Sequence, residues 1–292
     1  CGVRLDDFHV VRHCLAQSNE EVVMFRGSKY VQSVLSPDIF REIKQYLDRD
    51  RLVLFSGTPC QVAGLRAFMG GEHRYLLCCD LVCHGVPSPL LFKMYLDYLE
   101  QQKKQKIVAY SFRDKRGGWK RLGVSSVYSD NSESFCGMFD DSYGLAFLKD
   151  LAFRRSCYRC RYAQKVRCGD ITIADFWGVH RRYPHYDKDD KGTSLVLVNS
   201  RKGGDFLKKC EGKLFLGPAN LEDALQYNPM LEHPCPMPRE RTTFYSDLVR
   251  CGFRQVIVKY HLHPPSFICR TFQRASRGVR RAKVYFSGSV DR

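Results

Sequence analysis

Between residues 52 and 102 the chain repeats one plan twice, and this repeat constrains the fold more than any other feature. Leu52-Val53-Leu54-Phe55 is a continuous apolar run, the pattern of a strand buried in a parallel sheet. It breaks at Ser56-Gly57-Thr58-Pro59-Cys60, and Val62, Leu65 and Phe68 then recur at helical spacing. The second unit runs strand-like from Tyr75 to Val82, breaks at Cys83-His84-Gly85-Val86-Pro87-Ser88-Pro89, and is helical from Leu90 to about Gln102. Two strand–turn–helix units in succession predict parallel strands joined by right-handed crossovers. Both turns then open outside the carboxyl ends of the strands, on one edge of the sheet. Cys60 and Cys83, 23 positions apart, are thereby directed to one crevice.

The remaining pattern extends this plan. The first 35 residues read as strand and loop, with an apolar run at Val22-Val23-Met24-Phe25. Ser36-Pro37-Asp38 starts a helix whose apolar face carries Ile39, Ile43, Tyr46 and Leu47. Strands are predicted at 107–112, 122–128, 171–173 and 193–198, and helices at 142–151 and 202–210, with a short one after Asn220. The fold class is therefore α/β, a mixed, largely parallel sheet flanked by helices, over residues 1–233. Pro234, Pro236 and Pro238 mark a linker into a second region, 234–292, a helical C-terminal extension with a basic tail at 270–292. That tail is expected to be a solvated surface.

Composition excludes several classes. No apolar run approaches the roughly 18 residues of a membrane span, so no span is expected. No export leader opens the sequence, so a cytoplasmic location is expected. Fourteen Cys in 292 residues fall short of a disulfide scaffold, and reduced, clustered thiols point to metal or redox chemistry. The net charge of +16 favours anionic partners without choosing among them.

The densest chemical signal is Cys157-Tyr158-Arg159-Cys160, flanked by Arg154, Arg155, Arg161, Lys165 and Arg167. Two Cys at this spacing grip one metal centre, and zinc, an iron–sulfur cluster and a thiol–disulfide pair all fit. The surrounding residues read as a loop, which argues against a thioredoxin-like pair on a helix. A cluster needs four thiolates, and Cys60 plus Cys83 are the best supplementary pair. Cys168 stays open as a replacement for either. Cys78 and Cys79 read as core thiols, and Cys136, Cys210, Cys251 and Cys269 as structural. Gly57-Thr58-Pro59 and Gly27-Ser28-Lys29 are turns beside strands that can offer backbone N–H groups, and in the second case an ammonium, to phosphate or a flavin. Neither matches a P-loop or a dinucleotide fingerprint.

Several long segments in order resemble one known family. They are Phe25-Arg26-Gly27-Ser28-Lys29-Tyr30-Val31-Gln32-Ser33, Leu54 to Leu65, Asp80 to Ser88, Phe112-Arg113-Asp114-Lys115 with Gly118-Trp119, Cys157-x-x-Cys160, Asp170 to Gly178, and Lys191-Gly192-Thr193-Ser194. The resemblance runs from about Arg26 to Asn228 and is to the C-terminal region of the coenzyme F420 hydrogenase/dehydrogenase beta subunit. It implies a flavoprotein carrying FAD and a [4Fe–4S] cluster, passing electrons between a deazaflavin-type hydride carrier (coenzyme F420) and iron–sulfur partners. Carried over, Cys60, Cys83, Cys157 and Cys160 are the cluster ligands. Gly27, Ser28, Lys29, Gln32, Gly57 and Thr58 are the flavin-side residues. Longer relatives carry an N-terminal ferredoxin-like segment that this sequence lacks, so a ferredoxin-like or iron–sulfur subunit is the expected partner. No proton-transfer residue is assigned.

Two alternatives remain. One is a related flavin and iron–sulfur reductase of a small metabolite or sugar intermediate, with Arg113-Asp114-Lys115 toward an anionic substrate. The other is a zinc-stabilised nucleic-acid-binding protein; no nucleic-acid module is visible, so a nucleic-acid partner is not expected.

Overall fold

The computed structural model describes residues 1–6 and 10–263; the expected basic tail and Cys269 lie outside the described residues. The chain opens with an antiparallel pair, β1 (Gly2–Asp6) and β2 (Val10–Cys14), followed by α1 (Asn19–Val23) and α2 (Pro37–Leu47). Two units then follow in the predicted order, β3 (Val53–Gly57) with α3 (Pro59–Phe68), and β4 (Leu76–Leu81) with α4 (Pro89–Lys103). Next come β5 (Ile107–Asp114), β6 (Gly123–Tyr128), β7 (Glu133–Gly137) and α5 (Ser142–Leu148). The chain continues through β8 (Ile171–Asp175), α6 (Val179–Arg182), β9 (Ser194–Val198), α7 (Arg201–Lys208), α8 (Leu221–Leu225) and α9 (Arg241–Lys259).

The expected α/β class is what the chain adopts. The central sheet has the order β3-β4-β8-β9, with β3, β4 and β8 parallel and β9 antiparallel at the edge. A second, antiparallel sheet is formed by β5-β6-β7. Each strand–turn–helix unit starts its helix with proline in the first turn, where the lost N–H would be unpaired anyway. Ser88 caps α4 by accepting from Leu90 N at 3.1 Å.

Two apolar clusters carry most of the core. One packs Ile43 and Leu47 of α2 and Val62 and Leu65 of α3 against Val53 and Phe55 of β3. The other joins Leu91, Phe92, Tyr95 and Leu96 of α4 to Phe244, Leu248, Phe253, Val256 and Ile257 of α9 and to Ile107 and Phe112 of β5. The helix past the proline segment thus shares its core with the units before it.

One local reading is refined. The first 35 residues read as strand and loop, but within them Val22 and Val23 end a short, exposed helix. The Ser18 hydroxyl accepts from Glu21 N at 3.3 Å, and Gln17 N donates back to the Glu21 carboxylate at 2.7 Å. This reciprocal capping nucleates a turn that a strand cannot use.

Candidate functional site

The parallel register pairs Gly57 with Asp80, and Cys60 and Cys83 each lie three residues beyond that pair. The same offset from adjacent strands brings both to one rim, as the sequence predicts. At the first turn, Gln61 Oε1 accepts from Thr58 N at 2.9 Å and from the Thr58 hydroxyl at 3.0 Å. The Cys60 sulfur is 3.2 Å from that hydroxyl oxygen and is exposed.

Cys157 lies on a 3₁₀ turn, Arg155–Arg159, and Cys160 is the extended residue that ends it, both far from the two strands in sequence. That turn is docked onto the β4–α4 connection. Pro87 and Phe153 form a bridge, and Arg154 N donates to Val86 O at 3.1 Å. The Tyr245 hydroxyl accepts from Ser88 N at 3.0 Å and donates to Ala152 O at 2.5 Å, so it ties the two segments together. The Tyr158 hydroxyl donates to Asp150 O, and the Asp150 carboxylate meets His84 Nε2 at 2.7 Å. Gly85 permits the close approach: its φ is +154°, and a Cβ there would stand 2.6 Å from the Phe153 ring.

The four thiols expected as ligands influence one another. Burial pushes the Cys83 thiol up to about 12, and the neighbouring Cys157, Cys60 and Cys160 add to the rise. Burial also raises Cys157, with Cys60 and Cys160 contributing. Cys168 is raised by burial and then by Asp80, and it too senses Cys60. A single zinc holds thiolates at about 2.3 Å, which puts its sulfurs about 3.8 Å apart. Among the described residues no three of these sulfurs lie within 4.8 Å of one another; the one group that does is His84, Asp150 and Cys235.

Cys235 is a residue that sequence spacing does not single out. It is buried, its Sγ lies 3.6 Å from His84 O, and burial followed by the charge of Asp150 pushes it up to about 12. Only its place after a proline, in a segment read as linker, hints that it is fixed.

Beside the thiols opens a cavity of about 1500 Å³. Gly27, Ser28, Lys29, Gln32, Gly57 and Thr58 all line it, together with Cys60, Cys83 and His84. Lys29 differs from its expected use toward phosphate. Its ammonium donates to the carbonyls of Met24, Phe25 and Arg26 at 3.3, 3.0 and 2.8 Å, closing the turn after α1. Burial lowers its pKa to about 8.

Behind the cavity wall His13 is stacked on Phe55 and is 6% exposed. Its Nε2 faces Ser56 O at 3.3 Å and its Nδ1 faces Ser33 Oγ at 3.2 Å, while Gln61 Nε2 donates to Ser33 Oγ at 2.8 Å. Nε2–H therefore donates to the carbonyl and Nδ1 accepts from Ser33. Burial pushes the imidazole down to about 4. The unfolded chain takes this proton near pH 6.5, so the contribution is complete above that value and is lost as pH falls toward 4. The loss amounts to about 3 kcal/mol at a limiting rate of about 1.4 kcal/mol per pH unit. Urea midpoints measured from pH 7 to pH 4 should fall less steeply for His13→Gln than for the native chain. Parallel profiles would rule His13 out as the source.

A second feature escapes sequence reasoning. Asp80 is fully buried and accepts from Arg167 Nη2 at 3.0 Å, Thr172 Oγ1 at 2.6 Å, Cys168 N at 3.1 Å and Gly169 N at 2.9 Å. Arg167, whose side chain is 1% exposed, also donates to Tyr162 O at 3.1 Å and Leu81 O at 2.8 Å. This pair fastens the segment after Cys160 to the end of β4. Its only trace in the sequence is an acid inside an apolar strand.

Residues 50–223 match the sequence pattern of a family described as the C terminus of the beta subunit of coenzyme F420 hydrogenase/dehydrogenase. No curated protein matches the sequence. Among solved structures, a chain of the F420-reducing [NiFe] hydrogenase complex from Methanosarcina barkeri is similar at 15% identity and a TM-score of 0.43. That likeness covers 73% of this chain and 66% of the other, just under two thirds of its length. Among the described residues no helix is long and apolar enough to cross a membrane.

Proposed function

Because this chain belongs to the family formed by the C-terminal region of the coenzyme F420 hydrogenase/dehydrogenase beta subunit, and is thus of an oxidoreductase kind, we propose that it is a flavin- and [4Fe–4S]-dependent electron-transfer domain. In this reading it passes electrons between a reduced deazaflavin-type hydride carrier and iron–sulfur partners. The observation that carries the reading is the placement of Cys60 and Cys83 on the wall of one large cavity, with the segment that carries Cys157 and Cys160 docked onto the β4–α4 connection beside Cys83.

The donor set fits a multi-iron centre. Thiolates enclosed beside one another repel, and a bound cationic centre replaces the protons that burial otherwise holds on Cys83 and Cys157. The thiols are supplied from three sides, by two strand ends and one docked turn, as a cluster with four thiolate ligands requires. Gly27, Ser28, Gln32, Gly57 and Thr58 supply small or amide-bearing walls against which a flavin can lie, and Lys29 fixes the turn that carries Gly27 and Ser28. When bound, the flavin would exchange an electron pair with the hydride carrier and single electrons with the cluster. The partners inferred are an anionic hydride carrier, suited to a chain of net charge +16, and an iron–sulfur subunit.

Anaerobic purification with metal, sulfide and flavin analysis tests this. The expected result is about four iron and four sulfide with one flavin per chain. Colourless protein with one zinc would leave the alternative of a zinc-stabilised protein standing instead. Turnover with a deazaflavin against a nicotinamide separates the hydride carrier from a metabolite reductase.

A further inference from the structure

His84, next to Cys83 in the chain, belongs to a second set of donors that the electron-transfer reading does not use. It lies in the β4–α4 connection, Asp150 lies two residues past the end of α5, and Cys235 stands between Pro234 and Pro236 in the segment before α9. His84 Nε2 or Nδ1, an Asp150 carboxylate oxygen and the Cys235 sulfur all lie within 4.8 Å of one another, and among the described residues no other three His, Cys, Asp or Glu donors do. An imidazole beside a carboxylate is by itself an ordinary ion pair, here 2.7 Å across. That pair does not need the third donor. The Cys235 thiol comes in from 151 residues along the chain, is 1% exposed, and has its Sγ 3.6 Å from the backbone O of His84.

Each donor is held where it stands. The His84 ring packs against those of Phe147 and Phe153, at 5.4 and 5.2 Å between centroids. Asp150 sits at φ +58°, in the left-handed region that Asp tolerates better than most residues. Its N donates to Phe147 O at 3.0 Å, and its own carbonyl accepts from the Tyr158 hydroxyl. The charges match as well. A thiolate and a carboxylate carry two negative charges and a neutral imidazole none, so a divalent cation brings the set to zero net charge, which offsets the cost of burying it. One nitrogen, one oxygen and one sulfur suit zinc, which takes these donors at about 2.0–2.3 Å, whereas magnesium and calcium take oxygen donors. Three protein donors leave a tetrahedral ion one open position. His84 lines the large cavity, and water or an oxygen of a bound molecule can reach that position from there.

We propose that His84, Asp150 and Cys235 bind a divalent cation of the zinc class, at a site of its own beside the four thiols assigned to the cluster. The site does not depend on the flavin or the cluster being present. Cys235 binds as the thiolate, its proton released to water as the sulfur–metal bond forms. The His84–Asp150 contact opens by about half an ångström, from a hydrogen bond to the spacing of two ligands on one ion.

Anaerobic dialysis of the full chain against zinc, followed by metal analysis, tests it, with cobalt(II) as a coloured stand-in. About one zinc per chain should be retained besides the iron. Cys235→Ser and Asp150→Asn should each weaken zinc by at least the roughly 10–100-fold that lost supporting contacts cost, with iron content unchanged. Asp150→Asn keeps the size of its side chain, so it carries the test should Cys235→Ser disturb its buried segment. Cobalt in place of zinc should show the charge-transfer absorbance of a single thiolate, lost in Cys235→Ser. Cys157→Ser should lose iron and keep zinc, which separates the two centres. Zinc lost from Cys157→Ser and kept in Cys235→Ser would put the ion among the four thiols and overturn the proposal. Native zinc affinity in both Cys235→Ser and Asp150→Asn would overturn it too, as would loss of iron from Cys235→Ser. Zinc held by these three residues in a chain that takes up no iron would overturn the electron-transfer reading and leave this site standing.

Discussion

Asp80→Ala is expected to destabilise the chain by about 3–5 kcal/mol, the cost of leaving a buried guanidinium without its counter-charge. Asp80 and the Arg167 side chain are almost wholly removed from water, at 0% and 1% exposure. The substitution also deprives Cys168 N, Gly169 N and the Thr172 hydroxyl of their acceptor. Set against a typical total of about 5–15 kcal/mol, this is a large fraction. The site should suffer with the fold, because Arg167 joins the carbonyls of Tyr162 and Gln164 to Leu81 at the end of β4. Chemical denaturation measures the effect. The double variant Asp80→Leu with Arg167→Met separates charge from packing, since an apolar pair of similar size restores much of the loss. A single-variant cost under about 1 kcal/mol would mean that water reaches Arg167 and that the pair is no anchor.

The contrast between Cys60 and Cys157 explains which parts of the site are legible in the sequence. Cys60 and Cys83 follow apolar runs broken by Gly and Pro, and the rule for parallel strands turns that local pattern into a shared rim. The C-x-x-C spacing identifies Cys157 and Cys160 as a pair, but their place depends on contacts that no local pattern encodes. Tyr245 is 157 residues from the Ser88 N–H it accepts from, and Arg167 is 87 residues from Asp80. The same holds for Cys235, which approaches His84 from 151 residues away. At residues 18–23 the local signal decides instead: Val22-Val23 has strand-like side chains, but these residues face water and the Ser18 and Glu21 caps set a helical turn. Trp177 is visible in the sequence only as part of a resembling segment; its stack on Trp119, 58 residues away and on a different sheet's connection, is not encoded by any local pattern.

Cys83→Ser is expected to strip most of the iron from the anaerobically purified chain, together with the broad visible absorbance of a cluster. Serine keeps the shape but offers a hard hydroxyl where a soft thiolate is needed, and retention should fall by more than the roughly tenfold that lost supporting contacts cost. Cys83 is the most informative position because its thiol is the most enclosed of the four and is coupled to all three others. The fold should survive, since serine at this half-buried position meets the same backbone. Cys136→Ser, on the antiparallel sheet, is the control and should keep its iron. Cys235→Ser decides a finer point. Cys235 lies within the influence of Cys157 and Cys160 and closer to the interior than Cys60, which is exposed. With Cys60 as ligand, Cys60→Ser loses iron and Cys235→Ser does not. The reverse outcome would transfer the fourth coordination position to the proline-rich segment before α9, and the rim of β3 would then serve the flavin alone.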